Sequence, residues 1–178
     1  LIIKLKKIQE DLILNGKSDY FYEIPYTTLH VGKISGGIAL NIVPRYTSVN
    51  FEIRNIHLDD PKKIIKEIQK TISVILFTAK KITKSANISL KITNEYPYLN
   101  TSVNSEIVSF MTELTGKNKT IKVEFGTEGG LFSNSLGIPT IVCGPGSMEQ
   151  GHKPDEFISV DQLNQCDEML NKFTNKLI

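Results

Sequence analysis

The chain has 178 residues, enough for one domain or two small ones. Its 40% hydrophobic and 22% charged content is ordinary for a globular protein, and 21 basic residues against 19 acidic leave a net charge of +2. That balance argues against a nucleic-acid or acidic-membrane partner, and no apolar stretch is long enough to span a bilayer.

Residues 1–14 set Leu1, Ile2, Leu5, Ile8 and Leu12 on one face with Lys and Glu opposite, which predicts a helix stopped at Asn15-Gly16. Tyr26 to Ile34 predicts a strand, broken at Gly36-Gly37. Over 47–53, Val49, Phe51 and Ile53 alternate with Ser48, Asn50 and Glu52, the pattern of a half-buried strand. Asp59-Asp60-Pro61 predicts a helix start, because Asp supplies a capping oxygen and Pro fits the first turn. That helix should run through Ile64, Ile65, Ile68, Ile72, Ile75 and Leu76 to about Lys81, with the pairs Lys62-Lys63 and Lys80-Lys81 on its solvated face. Ile88, Leu90 and Ile92 predict one more strand over 87–93.

The order α-β-β-α-β over 1–93 is that of a ferredoxin-like split βαβ sandwich lacking its first strand. That strand usually lies centrally, so its absence predicts unpaired backbone and an open apolar face. The functional form is expected to need a segment N-terminal to this one. The first residue, Leu1 rather than Met, fits a chain that begins inside a longer reading frame or was trimmed.

Tyr96-Pro97-Tyr98 reads as a linker, dividing the chain into 1–95 and 96–178. Beyond it, the pattern predicts a helix over 104–115 closed by Gly116, a short strand over 121–125, and a helix over 128–136 closed by Gly137. Pro139 to Cys143 reads as a fully apolar strand covered on both faces, which would bury the Cys143 thiol. Val160 to Leu177 is a final amphipathic helix. The second half is thus α/β in layer pattern. Two cysteines, Cys143 and Cys166, make no disulfide framework and no signal peptide is visible, so a reducing cytoplasm is the expected compartment.

Three stretches carry chemistry. Gly144-Pro145-Gly146-Ser147 to Glu156 follows an expected strand, where α/β proteins place ligands, and its glycines permit close backbone approach. His152 in that loop is a metal-ligand or proton-transfer candidate, or a plain surface histidine. In Gly126-Thr127-Glu128, Glu128 is either an active-site carboxylate or the acidic first-turn residue of the following helix. Asn41, within Gly36-Gly37-Ile38-Ala39-Leu40-Asn41-Ile42-Val43-Pro44, and Arg54 are the materials of a carboxylate clamp, or of a plain hairpin with an exposed Arg. His57-Leu58-Asp59 matches a His-x-Asp metal pair but is better explained by helix capping, and His30 sits in a strand as a surface or interface residue. No P-loop, G-x-S-x-G or zinc-ribbon spacing is present.

Together with Tyr26-Thr27-Thr28-Leu29, these stretches resemble the co-catalytic zinc deacylase and peptidase family that includes acetylornithine deacetylase and succinyl-diaminopimelate desuccinylase, with the acetylornithine deacetylase branch nearest. The resemblance implies that residues 1–95 are most of an inserted lid that also makes a homodimer, and that 96–178 are the returning end of an α/β catalytic domain. It implies two zinc ions with His152 as one ligand, and Asn41, Arg54, Glu128, Gly144 and Gly146 as substrate-binding positions. It implies hydrolysis of an N-acyl amino acid, N-acetyl-L-ornithine above all, within arginine biosynthesis. The family's remaining ligands and its Glu-Glu pair have no counterpart here, since the chain contains no Glu-Glu dipeptide. The chain alone is therefore expected to be inactive and to need an N-terminal half as partner. The alternatives are a non-catalytic dimerisation or binding module, or a deacylase for succinyl-diaminopimelate or another N-acyl amino acid.

Overall fold

The computed structural model describes residues 1–123, 125–151 and 153–178. They form two compact units, Leu1–Tyr98 with Ile121–Gly126, and Leu99–Thr120 with Thr127–Ile178.

The first unit contains α1 (Ile2–Asn15), β1 (Thr28–Gly36), β2 (Thr47–Arg54) and α2 (Pro61–Ile82). The two strands pair antiparallel, from Thr28 opposite Arg54 to Gly36 opposite Thr47, with an irregularity between Val31 and Lys33. Gly32 is the extra residue there, so the side chains beyond it are re-phased relative to β2. Both helices lay an apolar stripe against this sheet. On α2 the stripe is Ile64, Ile68 and Ile72, spaced four apart and buried. On α1 it is Leu5 and Ile8, with Leu1 and Leu12 half-buried at the margin. Leu29 joins this core from β1, flanked by Val31, Val49, Phe51 and Ile53. Asp60 caps α2, its side chain accepting the Lys62 N–H at 2.9 Å, and Pro61 occupies the first helical position.

The expected strand over 87–93 joins no ladder. Ile88 and Leu90 do pack against the core, so the alternation reports burial. The partner strand that would turn burial into pairing is absent from the sheet, which has only β1 and β2 among the described residues.

The second unit contains α3 (Glu106–Thr115), α4 (Gly129–Leu136) and α5 (Val160–Leu177). Gly116 and Gly137 close α3 and α4 at φ 69° and 66°, a left-handed conformation that only glycine adopts without strain. Ser159 and Gln162 form a capping box at the start of α5, Gln162 N donating to Ser159 Oγ and Ser159 N donating to Gln162 Oε1. α3 packs on α5 through Phe110 and Phe173, edge to face at 6.0 Å between centroids, with Lys176 bonded to Glu113 beside them.

Two expected strands here need correction. Residues 139–143 form no strand, and both Val142 and Cys143 are exposed. An apolar run becomes a two-face-buried strand only when neighbouring strands flank it, and no strand is found in this unit among the described residues. Cys143 is thus an exposed thiol whose Sγ lies 3.8 Å from Met169 Sδ. Of the strand expected over 121–125, Glu124 lies outside the described residues, and Lys122 makes one isolated parallel bridge with Tyr22.

Candidate functional site

The residues singled out in the sequence fall in both units. Asn41 is exposed in the connection between β1 and β2, a stretch that also exposes Ile38, Leu40, Val43 and Tyr46. Arg54 ends β2, opposite Thr28, and its Nε donates to Glu52 Oε1 at 3.0 Å. Both side chains of that pair are about half exposed, 45% and 51%. Such a surface pair contributes at most about 1 kcal/mol. The Arg54 fork is therefore free to exchange Glu52 for another carboxylate at little cost. His30 is exposed in β1, opposite Glu52.

Glu128 stands at the N-cap of α4, where its carbonyl accepts from Leu131 N and Phe132 N. Its side chain makes no capping bond and is exposed. Thr127 Oγ1 takes the capping role instead, accepting the Gly129 N–H at 3.2 Å. Gly144 has open space where a Cβ would stand, and Gly146 has φ +100°, a backbone state closed to most L side chains. His152 lies outside the described residues. Among the described residues, no three His, Cys, Asp or Glu side chains come together as a metal site. A catalytic zinc takes about three protein ligands, so the described residues do not by themselves fit that ion.

A different cluster, not visible as a motif, is built in the first unit from Asp19, His57 and Lys122. Asp19 is buried, with its side chain 8% exposed. Its Oδ1 accepts the Phe21 N–H at 3.0 Å, and its Oδ2 accepts from Lys122 Nζ at 2.7 Å. His57 Nδ1 lies 3.2 Å from the same Oδ2 and 3.3 Å from Lys122 Nζ. Ser18, Tyr20, Phe21 and Leu58 line an open groove beside it. Thus His57 turns to Asp19, while Asp59 accepts the Thr27 hydroxyl at 2.5 Å.

Burial pushes the Asp19 carboxyl up, but the Lys122 bond, the Phe21 N–H and the nearby positive charges outweigh it and hold the group below its ordinary value of 3.8. Burial, then the Lys122 charge, push His57 below 6.5 against the smaller opposing pull of Asp19. A histidine whose folded pKa is depressed adds stability that is complete above the unfolded value and is lost as pH falls through the folded one. The chain should therefore lose stability as pH falls below about 6.5, and His57→Asn should flatten that slope. Urea midpoints measured across this range check it; an unchanged slope in the variant would exclude His57 as the source.

Residues 1–78 match the family described as the peptidase dimerisation domain. The chain is similar to acetylornithine deacetylase of Myxococcus xanthus, 29% identical over 168 residues, covering 94% of this chain and 41% of that protein. It is similar to acetylornithine deacetylase of Pasteurella multocida (strain Pm70), 30% identical over 155 residues, 85% of this chain and 38% of that protein. The acetylornithine deacetylase of Buchnera aphidicola subsp. Acyrthosiphon pisum (strain APS) is 29% identical over 155 residues, 87% and 39% respectively. The chain thus spans about two fifths of the length of these relatives. The motifs and the matches agree: the chain is similar to proteins named acetylornithine deacetylase along most of its length, and its first 78 residues match the peptidase dimerisation domain.

Proposed function

We propose that the complete protein is a metal-dependent amidohydrolase that deacylates an N-acyl amino acid, with N-acetyl-L-ornithine as its substrate. The observation that carries this reading is similarity to proteins named acetylornithine deacetylase along 94% of the chain. The order α1-β1-β2-α2, with both helices on one sheet, supports assigning unit 1 to a split βαβ lid that pairs with a second copy. In this reading Asn41 and Arg54 hold the substrate carboxylate, Arg54 doing so bidentately after releasing Glu52. Gly144 and Gly146 line the substrate, Glu128 faces it, and His152 is a metal ligand. The other ligands come from the rest of the enzyme, so the 178-residue chain alone does not turn over.

In the complete enzyme, Arg54→Ala should raise KM for acetylornithine by roughly ten- to a hundredfold while kcat changes far less, the loss of one charge-assisted carboxylate contact. An unchanged KM would remove Arg54 from the site. Preference for N-succinyl-diaminopimelate over acetylornithine would overturn the substrate. A second reading, a dimerisation or binding module without chemistry of its own, takes its support from the match of residues 1–78 to the peptidase dimerisation domain. A dimeric, metal-free complete protein without hydrolytic activity would establish that reading instead.

A further inference from the structure

β2 alternates along its length. Val49, Phe51 and Ile53 pack toward the core, while Asn50, Glu52 and Arg54 are exposed. The outer face of the hairpin therefore carries Glu52 and Arg54 side by side, with His30 and Thr28 opposite them on β1.

The contact between the two charges is slight. Arg54 meets Glu52 through Nε at 3.0 Å, and among the described residues neither has a second ion-pair partner. His30 is the cross-strand neighbour of Glu52, but its ring lies along its own strand. A Cβ placed on Gly32 would stand 3.7 Å from His30 Cδ2 and 3.8 Å from Nε2. Glu52 and Arg54 are thus an anion and a cation on an open face, each held mainly by the other.

That arrangement has a consequence for any ligand that displaces it. When Arg54 exchanges Glu52 for a substrate carboxylate, Glu52 is left without its cation on the surface that the substrate covers. Covering an unpaired carboxylate is costly. A substrate that also carries an ammonium removes the cost, because two ion pairs then replace one and no charge is stranded. The spacing suits such a ligand. Alternate residues of a strand stand about 6.6 Å apart on the same face. An extended ornithine chain spans a similar distance from its carboxylate to its terminal ammonium.

We propose that Glu52 is a specificity-determining residue, which takes the side-chain ammonium of an N-acyl diamino acid while Arg54 takes its carboxylate. The substrate enters by exchange into the internal Arg54–Glu52 pair. This rests on the reading of Arg54 as the carboxylate-binding residue and extends it to the other end of the substrate.

Two substrates and two variants of the complete enzyme test it. N-acetyl-L-ornithine is compared with N-acetyl-L-norvaline, which has the same carbon chain and carboxylate but no ammonium. Glu52→Gln should lower kcat/KM for acetylornithine by roughly tenfold, the loss of one charge-assisted contact, and leave acetylnorvaline within about twofold. Arg54→Ala should slow both substrates alike. Glu52 is half exposed, so Gln should leave the melting curve unchanged.

An equal fall for both substrates in Glu52→Gln overturns the proposal, because Glu52 would then act only by holding Arg54. No change for either substrate overturns it as well, placing the ammonium elsewhere. In both cases an Arg54→Ala variant that slows both substrates leaves the carboxylate reading standing. If Arg54→Ala slows neither, that reading fails, and the exchange of pairs fails with it.

Discussion

Ile68→Ala should lower the unfolding free energy of the first unit by about 3 to 4 kcal/mol. Ile68 is 0% exposed, midway along the buried stripe of α2, and its core neighbours come from α1 and β1 as well as from its own helix. Truncation removes the transfer free energy of three carbons and leaves a void that these neighbours cannot all close upon at once. Lys66→Ala, on the exposed side of the same helix, should stay within about 0.5 kcal/mol. Urea titration followed by far-ultraviolet circular dichroism measures both, and the Ile68 variant should show a lower midpoint at unchanged slope. Equal midpoints for the two variants would mean that the α2 stripe is not the centre of the core.

Thr27→Val should cost about 2 kcal/mol, although it conserves volume. Thr27 is 0% exposed just ahead of β1. Its hydroxyl donates to Asp59 Oδ2 at 2.5 Å and accepts the N–H of Ile56 at 3.2 Å. Ile56 is itself 2% exposed, so the valine methyl leaves a buried amide with no acceptor. Thr27→Ser keeps both bonds and loses only a methyl group, a cost of about 1 kcal/mol. The Val variant should therefore be the less stable of the two, a reversal of what apolar burial alone predicts. If valine proved as stable as serine, the hydroxyl bridge between β1 and the 56–59 turn would carry no net stabilisation.

The contrast between Ile68 and Thr27 also marks what could be read from the residues in order. A stripe at spacing four and a capping Asp before Pro61 are local signals, and α1, α2 and α5 follow them closely. The hairpin arms are local too, with β1 displaced two residues from the expected Tyr26 start because Thr27 turns inward to bond Asp59 and Ile56. Residues 87–93 and 139–143 failed for a common reason. Alternation or apolar content marks which side chains seek burial, whereas a strand also needs a partner backbone, which neither run specifies. Among the candidate site residues, Asn41, Arg54, Glu128, Gly144, Gly146 and His152 were singled out through short motifs. Asp19 and Lys122 lie 103 positions apart in the chain. No spacing rule joins them, and His57 drew notice only for its proximity to Asp59.

The first unit is not a continuous stretch of the gene. It borrows Ile121–Gly126 from beyond α3, and with them the cation that neutralises its buried Asp19. Recombination that transplanted only the run up to Tyr98 into another protein would carry the anion without its counter-charge. Inheritance of this module is thus tied to a short segment beyond α3, and substitutions at Asp19 and Lys122 should be tolerated together far better than singly.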